Sequence, residues 1–465
     1  MKKILLILSH FILFGTKAQD DSNVFTFGEF MQQVATQHPT AQQIKLLSER
    51  AKREIQKAKG AFDPVLEANY DRKLFNESNY FDIFKAALVL PTYYGLSVEA
   101  GFQHTTGDYL NPEDKTPYDG QAYMGLNVNL LQGLINNERN VTLEQAKLLT
   151  DINANQSRAL INGLLYEAAY IYWEWAFAYN EIKIWKQAYV LAQTRLEATK
   201  QSFLFGDKPA IDTLETFSNL LDRKIRLQEA ELDYQQAIFA LNMFLWSDNK
   251  PLELSAAIVP MSFAPAVVDT QRLNQIINNL PLNQPELALY EFQLKTLALE
   301  QRLKNNKLLP KLELKYNFLA NNGLNFFPST GAGMLDNYKM GIKFSQPILI
   351  RTARADVALN RVKIAETRFK FSQKRWELTN KIRTYAAEMN IFAAQIGVLA
   401  QNVSNYEQLL AAEYEKFRLG ESSIFVLNSR EIKLIETQQK LLTVQCKFEK
   451  SKASFGWIAA QLADF

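Results

Sequence analysis

The sequence predicts a mixed fold in which a membrane β-barrel is joined to long α-helical coiled coils, with the strand-and-helix plan present twice. Three observations predict it: landmarks recurring at fixed offsets, apolar seams with a 3.5-residue period, and intervening segments of period two. The chain has 465 residues, 22% of them charged and 47% hydrophobic, the make-up of a folded chain long enough for more than one domain. Its net charge of +3, from 52 basic and 49 acidic residues, gives no reason to expect a nucleic-acid partner.

Residues 1–18 read as a secretory signal. Lys2 and Lys3 precede the apolar run Ile4 to Phe14, and Thr16-Lys17-Ala18 places small residues for cleavage before Gln19. As an uncleaved anchor the run is too short to span a bilayer. Cys446 is the single cysteine, so no intramolecular disulfide can form in an oxidising compartment. No later stretch reaches the roughly 18 apolar residues of a membrane helix. Entry into a membrane would therefore require a β-barrel.

The repeat is carried by prolines and the strands after them. His38-Pro39, Pro64 and Tyr70 are matched by Gln284-Pro285, Pro310 and Tyr316, each 246 residues later. Proline suits the first turn of a helix and the position just past its end. Met124-Gly125-Leu126 matches Met340-Gly341-Ile342 at 216, and Phe203-Leu204-Phe205-Gly206 matches Phe417-Arg418-Leu419-Gly420 at 214. The first half thus holds about 30 extra residues between Pro64 and Met124. The first repeat is expected over 19–248, with helices at 28–62, strands at 65–131 and a coiled coil at 136–247. A linker at 249–270 leads to a second repeat over 271–465, with a helix at 285–309, strands at 311–346 and a coiled coil at 351–463.

The helices follow from one seam: Leu164, Ala168, Ile171, Trp175, Ala178, Ile182, Trp185, Tyr189, Ala192, Leu196, Thr199 and Phe203. It recurs 214 residues on from Leu378 to Phe417, with Glu413 in place of Thr199. A 3.5-residue repeat of this length means a left-handed coiled coil, and ~70 helical residues make a rod of roughly 100 Å. Gly206 and Gly420 end the rods, and return helices follow with Leu220, Leu227, Tyr234, Leu241 and Leu434, Leu441, Phe448, Phe455. Two helical hairpins in a soluble bundle would show the same seams, but seldom need such length.

Between helices, Leu96, Val98, Ala100 and Phe102 alternate with Ser97, Glu99, Gly101 and Gln103, and Leu312, Leu314, Tyr316 and Phe318 with Glu313, Lys315 and Asn317. This is the signature of barrel strands, apolar towards lipid and polar towards a lumen, and a half-buried soluble sheet shares it. Polar loops at 105–121 and 320–337 favour the barrel. Pro91 to Gly95 forms the turn of an added hairpin, giving four strands in the first half and two in the second. Six strands are too few to enclose a pore, so several subunits must share one barrel. The added hairpin joins that barrel or folds over its rim.

The three histidines, His10, His38 and His104, have no metal-ligand spacing, and no phosphate loop, nucleophile elbow or paired catalytic motif occurs. Neither an enzyme nor a cofactor is expected. Trp173, Trp175 and Trp185 read as packing residues.

The order of parts, with Gln346-Pro347 at a strand-to-helix junction and the turns FLFGDKPAIDTLE and FRLGESSIFVLNSRE, resembles the TolC family of outer-membrane channel proteins. The resemblance covers nearly the whole mature chain. It implies a homotrimer in the outer membrane, with a β-barrel in the lipid bilayer continuing into an α-helical barrel across the periplasm. The implied partners are a periplasmic adaptor and an inner-membrane efflux pump or ABC exporter, for drug or metal efflux or for type I protein secretion. A soluble periplasmic coiled-coil scaffold is the competing reading from another class. The family's tip, where the coils turn, an adaptor docks and an aperture closes, falls on Phe203, Gly206, Asp207, Asp212, Phe417, Gly420, Glu421, Ser422, Val426 and Ser429. Asp212 matches an acidic aperture position, whereas Val426 and Ser429 stand at the corresponding places in the second half. Glu421 and Glu431 are the acidic substitutes nearby.

Overall fold

The computed structural model describes residues 23–255, 257–321, 323–325 and 336–462. The expected signal segment, most of the second polar loop and the terminal Phe465 lie outside them.

In chain order the elements are β1 (Val24–Phe25), α1 (Phe27–Gln37), α2 (Pro39–Lys59), β2 (Val65–Phe75), β3 (Ser78–Pro91), β4 (Leu96–Thr106), β5 (Gln121–Asn129), α3 (Glu138–Leu204) and α4 (Ala210–Asn242). Short strands β6 (Trp246–Ser247), β7 (Lys250–Pro251) and β8 (Val259–Pro260) follow. Then come α5 (Thr270–Asn283), α6 (Pro285–Asn306), β9 (Lys311–Leu319), β10 (Tyr338–Ser345), α7 (Arg351–Arg418) and α8 (Ile424–Ile458). No described helix is long and apolar enough to cross a membrane, which says nothing of the strands.

Local chemistry sets the boundaries. Thr26 and Glu29 form a capping box at the start of α1. Pro39 and Pro285 occupy the first turns of α2 and α6, where a missing N–H costs nothing. Within the expected helical region 28–62, His38 divides two helices, its extended backbone ending α1 while its side chain caps α2. Helix α5 is absent from the sequence reading: its Asn- and Gln-rich face and internal Pro281 hide an apolar stripe. Leu273 of that stripe is buried, with Ile276 and Ile277 packed beside it against Leu378 and Ile382.

Helices α3 and α7 run for 67 and 68 residues. Each rod folds back on its return helix, α3 against α4 and α7 against α8, and α3 against α8 joins the two hairpins. Helices α2 and α6 pack on α3, and α6 also packs on α7. Along α3 the seam is buried at Leu164, Ala168, Trp175, Ala178, Ile182, Trp185, Ala192, Leu196 and Thr199. On α7 only Leu378, Ile382 and Met389 of the matching seam reach that level, because α7 stands on a flank. The other flank is α4. Their outer faces leave Leu221, Ile225, Leu232 and Phe239 on α4, and Phe369, Trp376, Ile391 and Val398 on α7, exposed.

The densest core lies midway along the rods, where the N-terminal segment is clamped. Phe27 stacks on Trp173 at 5.2 Å and meets Tyr172 edge-on at 5.3 Å. The Tyr172 hydroxyl donates to the Phe25 carbonyl at 2.6 Å and accepts from the Met261 amide at 3.1 Å, tying β1 and the β8 segment to α3. Cys446 is buried in the same core, and burial pushes its thiol pKa up to about 12. Removing the hydroxyl with Tyr172→Phe strands two backbone groups, so a loss of about 1–3 kcal/mol is expected. Thermal unfolding of the purified full chain, followed by circular dichroism, measures it; an unchanged midpoint would show that the clamp contributes nothing.

Candidate functional site

Two regions have the form of working surfaces: the wall of the six-stranded sheet and the tip of the helical hairpins.

The sheet runs β10-β9-β5-β4-β3-β2, every neighbouring pair antiparallel. The added hairpin is therefore part of the sheet and does not lie over its rim. Period-two alternation and the pairing register sort the side chains by face. One row reads Leu66, Leu88, Ala100, Met124, Phe318, Tyr338 across all six strands. The next reads Leu90, Val98, Leu126, Tyr316, Met340 across five. This face is exposed: Leu66 is 76% accessible and Ile342 65%. A soluble sheet would bury such a surface.

The opposite face is polar. Asn69, Lys85, Gln103 and Gln121 form one row, and Ser97, Asn127, Lys315 and Gly341 another. Glu99 accepts from the Tyr123 hydroxyl and from the Lys315 ammonium, both at 2.7 Å, and Glu313 accepts from Asn127 at 2.7 Å. Asn69, Lys85, Glu99, Gln103, Tyr123 and Lys315 line a hollow of about 380 Å³. Glycine is required on this face at Gly101, where a Cβ would sit 2.5 Å from the Tyr123 ring. The two edge strands β2 and β10 are exposed along their whole length.

At the tip, Gly206 and Gly420 adopt left-handed φ of 81° and 78°. The Asp207 amide donates to Ser202 and the Glu421 amide to Lys416, both at 2.9 Å, so both turns close as Schellman caps. Phe203 lines an open apolar groove with Leu196, Leu214 and Phe217. Asp212 lies in the first turn of α4. Ser422 donates to Glu413 at 2.5 Å, and Ser423 caps α8 by accepting from the Val426 amide. Asp207, Glu421 and Ser429 are exposed. Phe417 meets the other hairpin directly, its ring lying 3.8 Å below the Lys208 ammonium.

What actually couples the two turns is a group the sequence reading did not assemble. Arg195 of α3 donates to Asn428 Oδ1 at 2.6 Å, and its guanidinium lies 2.6 Å from Glu431 Oε2 as an ion contact off the hydrogen-bonding angle. The two side chains are only 12% and 5% exposed. Asn428 reaches Glu215 at 3.5 Å, and Arg430 reaches Glu413 at 3.8 Å. The signal was present in the seam, whose two polar members, Thr199 and Glu413, occupy the same repeat position beside this cluster. Further rungs bind α3 to α8: Gln439 donates to Glu181 at 3.0 Å, Lys450 pairs with Glu174, and Tyr170 meets Ser454 at 3.0 Å. Between α3 and the α7–α8 hairpin lies an apolar groove of about 600 Å³, lined by Leu191, Ala198, Leu410, Tyr414, Leu427 and Leu434.

Arg195→Met leaves a buried carboxylate without its cation and should cost about 3–5 kcal/mol, while adding Glu431→Leu should recover most of that loss. Thermal unfolding of the two variants decides it, and equal stability of both would sink the coupling. Burial raises the Glu181 pKa, with the Gln439 hydrogen bond opposing it and Asp233 adding to it. A carboxyl that binds its proton more tightly when folded loses stability as pH rises past its unfolded value of about 4.3. Glu181→Gln should therefore stabilise the protein near pH ~7, with the gain vanishing below about pH 4. Unfolding midpoints across that range are the check, and a loss at neutral pH would reverse the assignment.

Residues 276–454 match the model of the outer membrane efflux protein family. No curated protein matches the chain in sequence. Among solved structures, the CmeC outer membrane channel of Campylobacter jejuni aligns with a TM-score of 0.65 at 13% identity, over 94% of this chain and 85% of that one. The VceC outer membrane protein of Vibrio cholerae gives 0.66 at 12% identity, over 93% and 96%. The MtrE outer membrane channel of Neisseria gonorrhoeae gives 0.64 at 12% identity, over 94% and 89%. At these identities the structures speak for the fold, and the matched segment speaks for the family. The resemblance read from the order of motifs agrees with both findings: the chain has the fold of these outer-membrane channels over nearly its whole length, and its residues 276–454 match the outer membrane efflux protein family.

Proposed function

We propose that the chain is one subunit of a passive homotrimeric conduit that carries small molecules out across the outer membrane. One observation carries this reading: a sheet with an exposed apolar face, a polar inner face and two open edges. Such a sheet is one sector of a membrane barrel completed by other copies. The edges are complementary. The inner face of β2 offers Glu67 and Asp71 with one lysine, Lys73, and that of β10 offers Lys339 and Lys343. The outer face of β10 is apolar, and that of β2 is apolar except for Arg72, which pairs with Asp82 of β3 at 3.8 Å. Three copies would close eighteen antiparallel strands, six from each chain. The exposed apolar flanks of α4 and α7 would meet in the same ring, extending it into an α-helical barrel through the periplasm. The turns at Gly206 and Gly420, with Phe203, Asp207, Asp212, Phe417, Glu421, Ser422, Val426 and Ser429, would be the aperture and the face docked by a periplasmic adaptor. An inner-membrane pump would supply the energy.

Asn69→Cys combined with Gly341→Cys places one thiol on each edge strand. Oxidation in whole cells is expected to give a covalent trimer in the outer-membrane fraction, and deletion of the gene should increase drug sensitivity. A soluble monomer that never cross-links would overturn the proposal.

A further inference from the structure

All four junctions between the sheet and the rods lie at one end of the sheet: the starts of β2 and β9 and the ends of β5 and β10. That end is marked twice. Its junction segments expose large apolar side chains, with Ile348 at 95%, Ile135 at 63% and Leu349 at 57% accessible. Immediately beyond them, the helix ends carry Lys57, Lys59, Arg302, Lys304, Arg351 and Arg354. Within the spans 57–63, 300–306 and 351–356, these six cations face three carboxylates, Asp63, Glu300 and Asp356. None of the six makes an ion pair among the described residues; the fourth junction, by contrast, is neutralised internally by Lys307 against Glu138 at 2.8 Å. In the first turn of α7, Arg351 and Arg354 stand where a helix dipole favours carboxylates. These two arginines are held at a local electrostatic cost, whereas Lys57, Lys59 and Lys304 lie in last turns where the dipole favours them. All six, next to an apolar band and without internal ion-pair partners among the described residues, suit anions supplied by the bilayer.

We infer that this basic collar binds the phosphate headgroups of anionic glycerophospholipids in the leaflet beside the helix junctions. The inference rests on the membrane reading above and goes beyond it by naming the lipid chemistry. The apolar junction residues would sit at the acyl boundary, while the lysine and arginine stems reach along it to place their charges among the headgroups. Each such cation adds attraction that salt screens within a distance of about 10 Å.

The test uses the full chain, reconstituted into vesicles of phosphatidylethanolamine with or without phosphatidylglycerol, then extracted and analysed for retained lipid by native mass spectrometry. The wild type should retain phosphatidylglycerol over phosphatidylethanolamine by about threefold or more, an estimate from the surface attraction of several cations. The variant Lys57→Gln/Lys59→Gln/Arg351→Gln/Arg354→Gln should insert equally well and lose that preference, as should the wild type extracted in high salt. Normal insertion with equal retention of both lipids would overturn the collar alone. Failure to insert into either vesicle would instead overturn the membrane reading on which it rests.

Discussion

Burial of the faces of α3 is the interaction on which the other elements depend, since this one helix packs against α1, α2, α4, α6 and α8. Its contacts divide by chemistry. Towards α4 and the N-terminal segment they are apolar and aromatic, with Trp175, Tyr172 and Ala168 wholly buried. Towards α8, apolar contacts such as Tyr166 stacked on Trp457 and Ile435 beside Ile182 are interleaved with a series of polar rungs, from Asn162 donating to the Trp457 carbonyl at 2.6 Å down to Arg195 at the tip. An apolar seam tolerates small slides, because dispersion is non-directional, whereas charged and hydrogen-bonded rungs fix register and penalise misfit. Each hairpin is therefore zipped by packing, and the pair is indexed by polar contacts.

The sheet applies the same division across its two faces. Every strand gives one set of side chains to a mainly apolar surface, interrupted towards the loop end by the Arg72–Asp82 pair. The other set forms a polar face, where Glu99, Tyr123, Lys315, Asn127 and Glu313 make a network across β4, β5 and β9. The α4 and α7 flanks and the β2 and β10 edges are all open.

The fold was legible where period and punctuation coincide. The 3.5-residue seams, the paired prolines and the glycine turns predict α3, α4, α7 and α8 to within a few residues, because long amphipathic helices overdetermine their own pattern. Helix α5 was not legible: a short helix with few apolar positions and an internal proline gives no periodic signal above its surroundings. At the tip, the turns were visible and the cluster joining them was not. Arg195 and Glu431 lie 236 residues apart, and only the antiparallel return of α8 onto α3 brings them together. Pairing across elements leaves no trace in local spacing beyond the two polar breaks at Thr199 and Glu413.

Strands β2, β5, β9 and β10 each connect to a helix at one end, whereas β3 and β4 connect only to other strands. Strands lie about 4.8 Å apart and packed helices about 8–10 Å apart, so four strands are far narrower than the four rods they must join. The unattached hairpin widens the sheet without adding a helix, bringing its width nearer to that of the rods. In the proposed trimer this would uncouple two bores that are otherwise tied together: the calibre of the outer mouth could change through a single insertion between Pro64 and Met124, while the ring of helices kept its dimensions.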